Sequence, residues 1–169
     1  MLVPAVAVAA LIEHTRGNHV TTVRLIEEIE EVTRDRPVFR ARHLPEALRV
    51  SVAAGAIRLA ERLLDSNGHG AARHQYSVLA GRAVLTEAQG RHDAASALHA
   101  EVAELWASYG FVLEHGQAAL GAGRCLVAVG RHHEAPAHLA EARKTFDALR
   151  AGPLLAEADR VLAQAKSAG

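Results

Sequence analysis

The chain has 169 residues, 50% of them hydrophobic, 22% charged and only 4% aromatic, and its 19 basic residues balance 19 acidic ones. A formal net charge of zero gives no global field that would draw in nucleic acid or an anionic membrane. A single cysteine, Cys125, excludes a disulfide framework, and no run approaches the roughly 18 consecutive apolar residues of a membrane span. Alanine supplies 36 residues and arginine 17 of the 19 basic ones, a composition that favours helices packed through small side chains and also carries the mark of GC-rich coding.

Met1 to Ile12 is apolar but has no Lys or Arg ahead of it, so it reads as a buried first helix rather than a secretory signal. Ala10 and Leu11 are expected to face its neighbour, and a cytoplasmic location is the expectation.

Beyond it a segment recurs. Gly17, Gly55, Gly90 and Gly130 are spaced 38, 35 and 40 residues apart. Five residues after each glycine stands a small residue, namely Thr22, Ala60, Ala95 and Ala135. Seven residues before them stand Ala10, Leu48, Ala83 and Gly123. A glycine between two helical patterns supplies the positive φ that ends one helix and turns into the next. Small flanking residues let the two helices cross closely. The segments after the glycines carry apolar residues at helical spacing: Leu25, Ile26 and Ile29; Leu59, Leu63 and Leu64; Leu98 and Val102; Leu139, Ala142 and Phe146.

Pro45 is expected in the first turn of a helix from Leu44 to Ala54, and Pro136 near the start of one beginning at His132 or His133. Ala151-Gly152-Pro153 ends one helix and opens another over Leu154 to Ala165, with Leu155, Val161 and Leu162 on its apolar side. The most loop-like stretches are Ser66 to Gly70 and Tyr109 to Gly116. These signals give one all-α domain over residues 1–169, with units at roughly 1–35, 36–68, 70–110 and 112–150 and a cap at 152–167.

The stretch Gly123-x-x-Leu126-x-x-x-Gly130-Arg131-x-x-Glu134-Ala135-x-x-x-Leu139-x-x-Ala142 resembles the tetratricopeptide repeat, with leucines at Leu126 and Leu139 where that pattern prefers aromatics. In the other units the match is weaker: His99 stands in the slot of Leu139, and Asn67 in the slot of Ala142. Leu44-Pro45-Glu46-Ala47-Leu48, Ala60-Glu61-Arg62-Leu63-Leu64, Gly123-Arg124-Cys125-Leu126 and Leu154-Leu155-Ala156-Glu157-Ala158-Asp159 are similar to the C-terminal repeats of bacterial LuxR-type (MalT-like) transcriptional regulators and of proteins fusing a nucleotide cyclase to an ATPase. The resemblance implies a right-handed solenoid of about four hairpins plus a capping helix. It implies a signalling or interaction segment whose chemistry lies in a separate ATPase, cyclase or DNA-binding domain. This chain has no Gly-x-x-x-x-Gly-Lys-Ser/Thr loop, and its only lysines are Lys144 and Lys166.

Eleven histidines raise the question of a metal site. Two ligands on one helix face need i,i+3 or i,i+4 spacing, whereas His14/His19, His69/His74 and His133/His138 are five apart and splay on a helix. His92 and His99 share a face about 10 Å apart along the axis. The run His133-Glu134-Ala135-Pro136-Ala137-His138 is one residue too long for His-Glu-x-x-His. Cys125 lies in an apolar stretch and reads as a buried, inert thiol. No Gly-x-Ser-x-Gly elbow occurs. Glu27, Glu28, Glu30 and Glu31 read as a solvated face with Arg34 as partner. No catalytic residue, metal or cofactor is therefore expected.

The expectation is a non-enzymatic module that holds a protein or peptide in the concave groove lined by each first helix. Counting back from the glycines places Arg42, Arg49 and Val52, then Ser77, Val84 and Glu87, then Gln117, Arg124 and Val127 on that groove. Its arginines suit a partner's carboxylate. Trp106, Tyr109 and Phe111 read as packing at an inter-repeat junction. The rival readings are a small-molecule or peptide sensor gating a separate output domain, and a histidine-dependent metalloenzyme.

Overall fold

A computed structural model describes residues 3–65 and 72–168, with the backbone alone at 37 and 38. The described residues contain α-helices and no strand: α1 (Val3–Thr15), α2 (His19–Thr33), α3 (Pro37–Ala53), α4 (Ile57–Leu64), α5 (Ala72–Ala88), α6 (His92–Tyr109), α7 (Val112–Ala128), α8 (Ala135–Ala148) and α9 (Gly152–Ser167). The all-α expectation holds. Ser66 to Gly70 lies outside the described residues. The chain divides into two compact units, Met1–Ala88 and Gln89–Gly169.

The recurring glycines do what their spacing predicts. Gly17, Gly55, Gly90 and Gly130 have φ between 75° and 78°. At Gly55 the N–H donates to the Val52 carbonyl (2.9 Å) while the Ala56 N–H reaches back to the Ser51 carbonyl (2.8 Å). That pair of bonds satisfies two carbonyls at the end of α3. Gly17 and Gly130 repeat it, with Asn18 N–H on the Glu13 carbonyl and Arg131 N–H on the Leu126 carbonyl, both at 2.9 Å. Two further turns of the same form join α6 to α7 at Gly110 (φ 82°) and α8 to α9 at Arg150 (φ 53°).

The residues flanking those turns are buried between the helices. Thr22, Ala60, Ala95 and Ala135 are fully buried, as are Leu48 and Ala83, with Ala10 at 1% exposure. At Gly123 an added Cβ would lie 2.5 Å from Leu139 Cγ, so the leucine of α8 rests on the bare backbone of α7.

In the first unit α1 packs on α2 and α3, α2 on α3, α3 on α4 and α5, and α4 on α5. Its core joins Ala10, Ile26, Leu44, Leu48, Leu59, Leu63, Val78 and Leu85. A satellite of Val3, Ala7 and Ile29 lies beside it. Arg40, 7% exposed, closes the end of α2: its Nε donates to Thr33 Oγ1 and its Nη2 to the Glu30 carbonyl, both at 3.1 Å. In the second unit α6 packs on α7, α7 on α8 and α9, and α8 on α9. Leu120, Leu126, Leu139, Phe146, Ala158 and Val161 form that core.

Four local expectations need correction. Pro45 sits inside α3 rather than at its start, because α3 begins at Pro37 and passes through. Helix α8 begins at Ala135, not at His132 or His133, and Pro136 falls in its first turn. Tyr109 to Gly116 is not a loop, because only Gly110 and Phe111 separate α6 from α7. Leu11 is 41% exposed while Ala10 is buried, so α1 meets its neighbours through Val3, Ala7 and Ala10. The acidic run also divides. Arg34 binds Glu31, but Glu30 receives both Nε (3.0 Å) and Nη2 (2.9 Å) of Arg62, tying α2 to α4.

Candidate functional site

The residues read as groove-lining fall at regular intervals on helices α3, α5 and α7. In the first unit Arg42 is exposed, Arg49, Val52, Val84 and Glu87 are half-buried, and Ser77 is buried. Arg49 Nη2 donates to Glu46 Oε2 at 2.9 Å, one turn before it on α3. In the second unit Gln117, Arg124 and Val127 are all half-buried. Arg124 Nη1 donates to Glu157 Oε1 of α9 at 2.7 Å, an ion pair that helps hold the last helix. Val52 and Val127 pack on the edges of their cores. Burial at these positions ranges from exposed Arg42 to buried Ser77, and Arg49 and Arg124 already hold carboxylates of their own chain.

Beside Arg42, the half-buried imidazole of His43 meets Phe39 edge to face at 5.5 Å. Burial, with the positive charges of Arg42 and Arg73 adding to it, pushes this histidine below its ordinary pKa. On the loop before α8, the Arg131 guanidinium hydrogen-bonded to Glu134 holds that carboxyl below its ordinary value. Arg131 Nη1 also donates to Asp93 at 3.0 Å, joining that loop to the start of α6.

The histidine pairs behave differently from their spacing. His14 and His19 are not splayed on one helix: the Gly17 turn separates α1 from α2 and brings their rings to 5.9 Å, edge to face. His133 precedes α8 and its side chain is 83% exposed, whereas His138 lies within the helix. His69 lies outside the described residues. His115 is tied down by the Ala103 carbonyl (3.0 Å) at Nδ1 and Glu141 (3.4 Å) at Nε2.

His99 is the unexpected one. It is 3% exposed and its ring lies flat on α7 at Gly121, where a Cβ would come within 2.5–2.7 Å of three ring atoms. Cys125, one turn along α7 and fully buried as expected, has its Sγ within 4.8 Å of a ring nitrogen of His99. The two donors stand on different helices, 26 residues apart, so no spacing rule along one helix finds them.

The rings of Trp106, Tyr109 and Phe111 cluster at the α6–α7 turn. Trp106 and Phe111 stack at 5.4 Å, and Tyr109 meets Phe111 at 5.3 Å. Trp106 is buried at 1% exposure while Tyr109 is 45% exposed, so the cluster packs the turn and shows one ring to solvent. Among the described residues no helix is long and apolar enough to cross a membrane. Comparison of the chain with protein-family models, curated proteins and solved structures finds no match.

Proposed function

We propose that each unit is a stretch of tetratricopeptide-like hairpins stacked in a right-handed sense, and that the chain is a non-enzymatic module holding a protein or peptide partner. The observation that carries this reading is the turn recurring every 35–40 residues, a positive-φ glycine followed five residues later by a fully buried small residue. Within each unit, consecutive helices pack, and α1, α3 and α5 in the first and α7 and α9 in the second also meet next but one. Within each unit such stacking leaves one face of its odd-numbered helices open as a surface, which is where arrays of this kind hold an extended or helical segment. The resemblance to the repeats of LuxR-type regulators and cyclase–ATPase fusions makes a signalling ATPase, cyclase or DNA-binding domain the class of partner we favour.

The test is cross-linked capture of partners from a lysate of the source cell, scored against surface variants. Val84→Arg and Gln117→Arg place a bulky charge on the proposed face, and each is expected to weaken the captured interaction by about tenfold or more. Arg58→Glu, on exposed α4 surface, is the control and is expected to leave capture unchanged. Equal capture by all three variants would refute the assignment of that face.

A further inference from the structure

The second unit contains a buried histidine and a buried cysteine whose donor atoms lie close together. Helix α7 is flanked by α6 and α8, and side chains of both rest on its bare glycines: Thr145 and Phe146 of α8 lie on Gly116, and one more comes from each helix further along. From α8 it is Leu139 on Gly123, an apolar residue in an apolar cleft. From α6 it is His99 on Gly121, standing in the repeat slot that Leu139 fills in the next unit. His99 is 3% exposed there, so an imidazole lies buried where the next repeat packs leucine. The residue one turn beyond Gly121 is the chain's single cysteine, also buried, with Sγ inside 4.8 Å of a His99 nitrogen.

A neutral imidazole nitrogen beside a thiol is a donor set with a defined preference. Thiolate sulfur is soft and selects Cu(I) and Zn(II) over hard cations such as Mg(II) or Ca(II), and imidazole suits both of the former. With metal–nitrogen and metal–sulfur bonds of about 2.0–2.1 and 2.3 Å, donors about 3.6 Å apart fit a tetrahedral angle and about 4.4 Å a linear one. Both separations fall within the 4.8 Å that bounds the two donors here. Gly121 is the device that permits it, since any Cβ there would displace the ring.

We propose that His99 and Cys125 are two ligands of a site for one thiophilic d10 cation, Zn(II) or Cu(I). On binding, the Cys125 thiol gives up its proton to solvent and the thiolate bonds the ion, while a deprotonated nitrogen of neutral His99 donates its lone pair. The charge of the ion offsets that of the buried thiolate. No electron is transferred.

The test uses the full chain, reduced and metal-free. Co(II) serves as the spectroscopic probe for Zn(II), and Cu(I) is delivered from a chromophoric chelator. Because Cys125 is the only cysteine, thiolate-to-metal charge transfer in the near ultraviolet reports this site alone, whatever ions the other histidines collect at the surface. We expect one equivalent of Co(II) or of Cu(I) to produce that absorption. Zn(II) displacing Co(II) assigns the site to zinc, and retention of Cu(I) against the chelator assigns it to copper. Cys125→Ala is expected to abolish the signal, and His99→Leu, which installs the residue that rests on Gly123, to weaken binding at least tenfold with far-UV circular dichroism unchanged. If a variant fails to fold, the wild type still decides: a bound ion slows alkylation of Cys125 by iodoacetamide at least tenfold. No charge transfer with either ion, full binding by a folded His99→Leu protein, or alkylation indifferent to the ion overturns the proposal. None of these readouts depends on partner capture, so the site and the interaction face stand or fall separately.

Discussion

Arg150 is the one non-glycine residue with positive φ among the described residues, and it occupies the same turn geometry that Gly17, Gly55, Gly110 and Gly130 adopt. A left-handed conformation costs an L-residue with a Cβ roughly 1–2 kcal/mol, and glycine nothing comparable. Arg150→Gly is therefore expected to stabilise the chain by about 0.5–1 kcal/mol, after the larger unfolded-state entropy of glycine is subtracted. Gly55→Ala imposes the same strain in the other direction and is expected to destabilise by about 1–2 kcal/mol; urea denaturation of both variants measures the pair. His43 carries a pH dependence of fixed sign. Its folded pKa is depressed by burial and by Arg42 and Arg73, and its enclosed Nε2 has no hydrogen-bond partner among the described residues. The unfolded chain therefore takes up the proton first, at about pH 6.5. The stability it contributes is whole above that pH and is lost as pH falls through the depressed folded value. The urea midpoint should fall on acidification from pH 7 to 5, and more gently in His43→Gln.

Helix ends were legible from the sequence wherever a glycine or a proline acts locally, and illegible where tertiary packing overrides the local signal. The Gly17, Gly55, Gly90 and Gly130 turns fall where the spacing puts them, because positive φ is a property of one residue. Pro45 misleads. A proline inside a helix removes one N–H and crowds the carbonyl four residues back, a cost near 3 kcal/mol in an isolated helix. Here α3 continues through it, with Ala41, Leu44, Ala47 and Leu48 buried on both sides of the proline. Burial of that face offsets the missing bond. Pro45→Ala restores the donor to the Ala41 carbonyl but gives up part of a buried ring, and it is expected to stabilise by on the order of 1 kcal/mol in thermal or urea unfolding. The turn at Gly110 escaped the sequence reading for a different reason: it joins one hairpin to the next and lies outside the 35–40-residue period.

At the level of the whole molecule, each unit has a core of its own, centred on Leu44, Leu48 and Leu63 in the first and on Leu120, Leu139 and Phe146 in the second. A fragment of residues 89–169 is accordingly expected to be helical by circular dichroism and to unfold with a sigmoidal thermal transition; a linear, non-cooperative melt would show that its core is not sufficient by itself. The sequence by itself determined the helical class, the glycine turns and the small residues that close the hairpins, because each depends on one residue's backbone freedom or on a periodic pattern along a single helix. The sequence also marked the regular positions Arg42, Arg49, Val84, Glu87, Gln117, Arg124 and Val127. It did not reveal that Arg49 and Arg124 are engaged by Glu46 and Glu157. Only the tertiary structure decided which side chains each histidine meets. His14 and His19 meet because a turn folds between them, and His99 reaches Cys125 because Gly121 leaves room for a ring between two helices. Contacts between helices depend on crossing geometry and on the absence of single atoms, which spacing along the chain does not encode.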